Sequence, residues 1–124
     1  SALESPHFLA AAGRPAEAQA VLRGGNWACE ATLWTQWAHR GDLVALEDSS
    51  LLRIDAAEFL ECIRHSSIIY KREPHRYAEL FVRRLNELGF DEVSDIVDED
   101  FGIGRMVHQV FPHMTRMGTA FAGL

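Results

Sequence analysis

The apolar residues change their period near residue 55, and a fold of a single structural class cannot bury both halves of such a chain. Upstream, short apolar runs at 20–22, 43–46 and 51–54 are punctuated by Gly24, Gly25 and Gly41, which reads as short strands joined by turns. Asp48-Ser49-Ser50 is a turn signal, because these side chains hydrogen-bond to nearby backbone, and it sets 43–46 and 51–54 as a hairpin-like pair. Residues 3–12, with Pro6 near their start and Gly13 after their end, read as a short helix.

Downstream the period is helical. Asp55 followed by Glu58 forms a capping box ahead of Ala57, Phe59, Leu60, Ile63, Ile68 and Ile69, predicting a helix over roughly 56–70. Pro74 restarts the pattern as a first helical residue, where a missing N–H costs nothing. Tyr77, Leu80, Phe81, Leu85 and Leu88 then fall at i, i+3, i+4, i+8 and i+11, and Gly89 ends the run. Residues 91–97 read as one or two helical turns. Val107, Val110, Met114, Met117, Phe121 and Leu124 alternate spacings of three and four, and Pro112 bends or restarts that last stripe.

With 124 residues the chain holds one core, so chemistry built across a cleft between domains is not expected. Twelve Lys and Arg against eighteen Asp and Glu give a net charge of -6, which argues against a nucleic-acid binder and a polybasic membrane-surface module. The longest uninterrupted apolar stretch covers only residues 8–12, too short to cross a bilayer. Cys29 and Cys62 are isolated, with no CxxC, which implies an intracellular, reducing compartment, with a single disulfide between them as the alternative. The chain opens on Ser1 with no signal-type segment, as a processed protein or a piece of a longer one would.

The most informative constellation is Gly25-Asn26-Trp27-Ala28-Cys29-Glu30-Ala31-Thr32-Leu33-Trp34, then His39-Arg40-Gly41-Asp42-Leu43, closed by 51–59 with Phe59 at its end. It resembles the phosphate-binding cassette and last strands of the cyclic-nucleotide-binding β-roll, the domain of bacterial catabolite activators, kinase regulatory subunits and cyclic-nucleotide-gated channels. That family runs G-x-x-F-G-E-x-x-L-L, then P-R-[TA]-A-x-V, then L-x-x-[LI]-x-x-x-x-F, and Gly25, Glu30, Leu33 and Phe59 fall on its offsets without an insertion. The tryptophan-rich variant Trp27, Trp34 and Trp37, together with the helix around Tyr77 and Phe81, is similar to divergent domains of protist voltage-gated-channel-like proteins. The resemblance covers about 20–63.

It implies roles residue by residue. A cyclic phosphate needs backbone N–H groups and a guanidinium fork, and its sugar needs a carboxylate acceptor. Glu30 stands at the carboxylate position, with Ala31, Thr32 and Leu33 supplying N–H groups. The family's Arg is His39 here, nine residues on, and its Gly is Cys29, while Arg40 lies one residue late and turns to the other strand face. Replacing the fork by a mostly neutral imidazole removes a charge-assisted bond of about 1.5–3 kcal/mol, or about tenfold to a few hundredfold in affinity. The pocket therefore reads as vestigial, with cAMP or cGMP as ligand only if Glu30, residues 31–33, His39 and Arg40 still act together. The strands available before residue 20 are too few for a whole roll, so open edges call for upstream sequence or another chain.

Other candidates are weaker. His108 and His113 are five apart, off the i, i+4 spacing of two ligands on one helix face, and no cysteine lies near them, so no metal site is assigned. Gly102-Ile103-Gly104 lacks a preceding strand and a third glycine, and reads as a loop. His65 beside Ser66 and Ser67 has no nucleophile elbow, and Asp91, Glu92, Asp95, Asp98, Glu99 and Asp100 lack a calcium-loop order, reading as a solvated acidic face. Trp34 and Trp37, and the stripe Val107, Val110, Met114, Met117 and Phe121, either close the core or dock a partner. The expectation is an α+β chain: 1–63 a helical lead-in and partial, degenerate β-roll, and 64–124 a helical extension and docking tail. Its expected role is that of a non-enzymatic subunit of a larger assembly of proteins, which the resemblance associates with a membrane, without lipid insertion, nucleic acid or cofactor. A genuine cyclic-nucleotide sensor is the alternative.

Overall fold

The computed structural model describes residues 8–11 and 19–113. It has mixed α+β character, with the strands in the first half and the helices concentrated in the second. Strands β1 (Phe8–Ala11), β2 (Gln19–Leu22) and β3 (Asp42–Ala45) form a three-stranded antiparallel sheet in the order β2-β1-β3. Phe8 pairs with both Leu22 and Ala45, and Ala11 with both Gln19 and Asp42, so β1 is laddered on both sides.

The sequence reads residues 8–11 as helix, and here they are strand. Four residues cannot outweigh two flanking strands that together engage both edges of their backbone, and the ladder overrides alanine's helical preference. The expected hairpin is also replaced. Residues 51–54 have no ladder, and β3 pairs with β1 across the sheet instead. After β2 the chain reverses at Gly25, whose φ of 84° is one that glycine adopts without cost, with Asn26 N–H bonded to the Arg23 carbonyl at 3.0 Å.

Helix α1 (Ala31–Trp34) is a single turn. Helix α2 (Ala56–His65) starts as the capping pattern requires, with Asp55 accepting the Glu58 N–H at 3.0 Å. It stops five residues early. Ser66 is extended, its hydroxyl donates to the Cys62 carbonyl at 2.8 Å, and Ser67, also extended, becomes the N-cap of the next helix. Helix α3 (Ile68–Glu87) runs through Pro74 rather than starting there. The bond lost is the one to the Tyr70 carbonyl, at a residue that is 70% exposed, so the freed oxygen is not sealed in the core.

Residues 91–97 form a turn and a loop rather than helical turns. A 3-10 turn (Glu99–Phe101) follows, and Gly102, at φ 90°, leads into helix α4 (Ile103–Val110), so Gly104 is helical and not in a loop. Arg84 on α3 donates to the carbonyls of Asp100 and Phe101 at 3.3 and 3.2 Å, which pins the 3-10 turn to the helix.

The core lies between α1, α3, the 3-10 turn and α4. Ala31, Tyr77, Phe81, Phe101, Met106 and Val110 are buried together, with Trp34 and Trp37 packed partly against them. Residue 63 falls inside α2, and Ala31 of the first segment shares its core with Tyr77 of the second. Among the described residues no helix is long and apolar enough to cross a membrane.

Candidate functional site

The residues around α1 are placed by two carboxylates, and both are already occupied. Glu30 directly precedes α1, and its Oε1 accepts the Tyr77 hydroxyl at 2.6 Å and the Trp34 indole N–H at 3.1 Å. Trp34 stacks edge-on against Tyr77 at 5.3 Å and Phe59 at 5.5 Å, so the carboxylate sits at the rim of an aromatic cluster formed by α1, α2 and α3. Burial, and then the Glu30 bond, hold the Tyr77 phenol well above its ordinary titration range. Tyr77 therefore stays a donor to Glu30 at neutral pH.

The second carboxylate is Asp95. Its side chain is 11% exposed and gathers three N–H groups from the loop after α1: Trp37 Nε1 on Oδ1 at 2.7 Å, and the backbone of Arg40 and Gly41 on Oδ2 at 2.6 and 3.0 Å. Its own carbonyl accepts the Cys29 N–H at 2.6 Å. One residue thus ties down the chain on both sides of α1. This explains why 91–97 is not helical, since a loop is needed to turn the Asp95 side chain and carbonyl toward two different segments.

The expected ligand-binding residues lie in one region, each with a partner inside the chain. Thr32 N–H donates to the Cys29 carbonyl at 3.1 Å, Leu33 N–H to the Glu30 carbonyl at 2.9 Å, and Ala31 is buried. The Arg40 guanidinium lies 4.2 Å over the Phe90 ring and donates to the Phe90 carbonyl at 3.1 Å. His39 is 65% exposed, and its Nδ1 is 3.4 Å from Cys29 Sγ and 3.6 Å from Asp95 Oδ1.

No family model, curated protein or solved structure matches this chain.

Cys29, His39 and Asp95 have the composition of a thiol–imidazole–carboxylate relay but not its wiring. A relay holds the nucleophile on one imidazole nitrogen and the carboxylate on the other, whereas both contacts here converge on Nδ1. Burial first, and the Asp95 carboxylate second, push the Cys29 thiol up, opposite to the activation a nucleophile needs. Cys29 also adopts a φ of 63°, a left-handed conformation costing a non-glycine residue about 1–2 kcal/mol.

The expected docking residues separate into two groups. Trp34 and Trp37 are half-buried with their indole N–H groups bonded internally. Val110 is 5% exposed and Val107 half-buried in the same core, so this half of the stripe folds back onto α3; Met114, Met117 and Phe121 lie outside the described residues. Sequence reasoning missed Asp95, which it grouped with the acidic face. Its only signal was its place between the apolar Val93 and Ile96, since its partners lie more than fifty residues away.

Proposed function

We propose that this chain is a non-enzymatic docking module, a partial cyclic-nucleotide-binding-like β-roll whose pocket is filled by its own side chains and whose sheet is completed by another protein chain of a larger assembly. The observation that carries this reading is β3 and the segment after it. Leu43 and Val44 point to opposite faces of the strand, yet they are 47% and 51% exposed. Leu46, Leu51, Leu52 and Ile54 continue the patch, at 44–86% exposure. A strand apolar on both faces, at the edge of the three-stranded sheet among the described residues, is a template for further sheet or a covering layer.

The cassette part of the reading has its own support. The left-handed φ at Cys29 falls where the resembled family carries glycine, and a helical turn begins directly after Glu30, as in a phosphate-binding cassette. Loss of ligand binding is supported by Glu30, Thr32, Leu33, His39 and Arg40 each having an internal partner. Both cysteines are free, which supports a reducing, intracellular compartment. By the family resemblance alone, the assembly is membrane-associated without this chain entering lipid.

Thermal unfolding with and without millimolar cAMP or cGMP separates the docking module from the sensor. A ligand at about 100 times its dissociation constant adds about 2.7 kcal/mol, a shift of several degrees for a domain of this size. The docking reading expects one cooperative transition that neither nucleotide moves. A shift that Glu30→Gln abolishes would establish the sensor instead.

A further inference from the structure

Cys29, His39 and Asp95 each offer one ligand atom, and the three atoms lie within 4.8 Å of one another. A tetrahedral zinc ion with bonds of about 2.3 Å to sulfur and about 2.0–2.2 Å to nitrogen and oxygen separates sulfur from nitrogen by about 3.5 Å and nitrogen from oxygen by about 3.3 Å. The corresponding separations here are 3.4 Å for Cys29 Sγ to His39 Nδ1 and 3.6 Å for His39 Nδ1 to Asp95 Oδ1. The convergence on Nδ1 that disqualifies a catalytic relay is what a metal site requires, because one lone pair from each side chain must face one point.

We propose that Cys29 Sγ, His39 Nδ1 and Asp95 Oδ1 bind a single zinc-class divalent cation, with water as the fourth ligand. The surroundings are those of a ligand set. A carboxylate has about four acceptor positions, of which the N–H groups of Trp37, Arg40 and Gly41 take three, leaving one on Oδ1 beside His39. Such outer-shell donors orient a coordinating carboxylate. The left-handed backbone at Cys29 and its N–H bond to the Asp95 carbonyl hold the thiol in the same corner. His39, at 65% exposure, leaves the entry side open for water and for the ion. A thiolate with an imidazole selects zinc-class ions over magnesium or calcium, and the Cys29 proton leaves to solvent as the sulfur binds. The ion would join the segments before and after α1 to the loop after α3, a staple independent of whether the module docks or senses.

Titration of the reduced 124-residue chain with cobalt(II) chloride, followed by displacement with zinc chloride, tests this. One cobalt per chain is expected, with thiolate charge-transfer absorption and the intense visible bands of a tetrahedral ion, and zinc should abolish them while raising the melting temperature by several degrees. Cys29→Gly removes the ligand and suits the left-handed backbone, so it should fold, melt no lower than the metal-free parent and show neither the absorption nor the zinc shift. His39→Ala, at an exposed side chain, should weaken binding at least tenfold, and Cys62→Ser should change nothing. Absence of the tetrahedral spectrum, or a spectrum that survives Cys29→Gly and vanishes in Cys62→Ser, would overturn the assignment.

Discussion

Replacing Asp95 by alanine is expected to lower stability by about 2–4 kcal/mol, because three N–H donors lose one acceptor at once and each buried donor left unpaired costs about 1–3 kcal/mol before the loop relaxes toward water. The loss should appear in urea unfolding as a lower midpoint with little change in slope. Hydrogen exchange gives the local signature: the Arg40 and Gly41 amides should lose protection while those inside α3 keep theirs. Asp95→Asn should recover only part of the loss. Its amide keeps one acceptor oxygen, so its NH₂ group must face either the Trp37 indole N–H or the two backbone donors.

Phe81→Ala is expected to cost about 3–5 kcal/mol, the range for emptying a fully packed aromatic site. Phe81 is 0% exposed, lies 4.9 Å from Phe101 and 6.2 Å from Tyr77, and stands where α3, α4 and the 3-10 turn meet. Domains of this kind have about 5–15 kcal/mol in total, so the alanine chain should approach the limit of folding. Phe81→Leu keeps most of the volume and should lose about 1.5 kcal/mol or less. A Phe81→Ala chain that unfolds at the parent's midpoint would show that the helical core does not hold the structure together.

The helical half was legible because its information is local. Tyr77, Leu80, Phe81, Leu85 and Leu88 lie in or against the core as their spacing demands, and the Asp55 cap forms as its pattern demands. What escaped were features decided at a distance. Residues 8–11 are a strand because two other strands reach them, which no property of Phe-Leu-Ala-Ala announces. Pro74 stays inside α3 because it removes a single backbone bond, at the exposed Tyr70, while the turns after it are held in the core from Tyr77 onward. Ser66 and Ser67 break the helix between two apolar stretches whose periods would otherwise join.

The site divides in the same way. The cassette offsets brought Glu30, Cys29 and His39 to attention, and the structure places Cys29 and His39 side by side. Their common partner Asp95 could not be selected from six acidic residues in one stretch, because its role depends on the loop turning inward. The cassette spacing makes Glu30 a ligand for sugar, whereas the fold satisfies it with Trp34 and Tyr77, whose own spacing points only to the core or an interface.

The central claim is that the exposed strand and the segment after it are a docking surface. The most direct measurement is site-specific photo-crosslinking of the chain in the cells that make it, with benzoylphenylalanine at Leu43 or Leu52 and, as a control, at His75 on α3, whose side chain is 76% exposed. The account predicts one discrete adduct with another protein from positions 43 and 52, and none from position 75. No adduct from the strand and its flank, or the same adducts from all three positions, would contradict it.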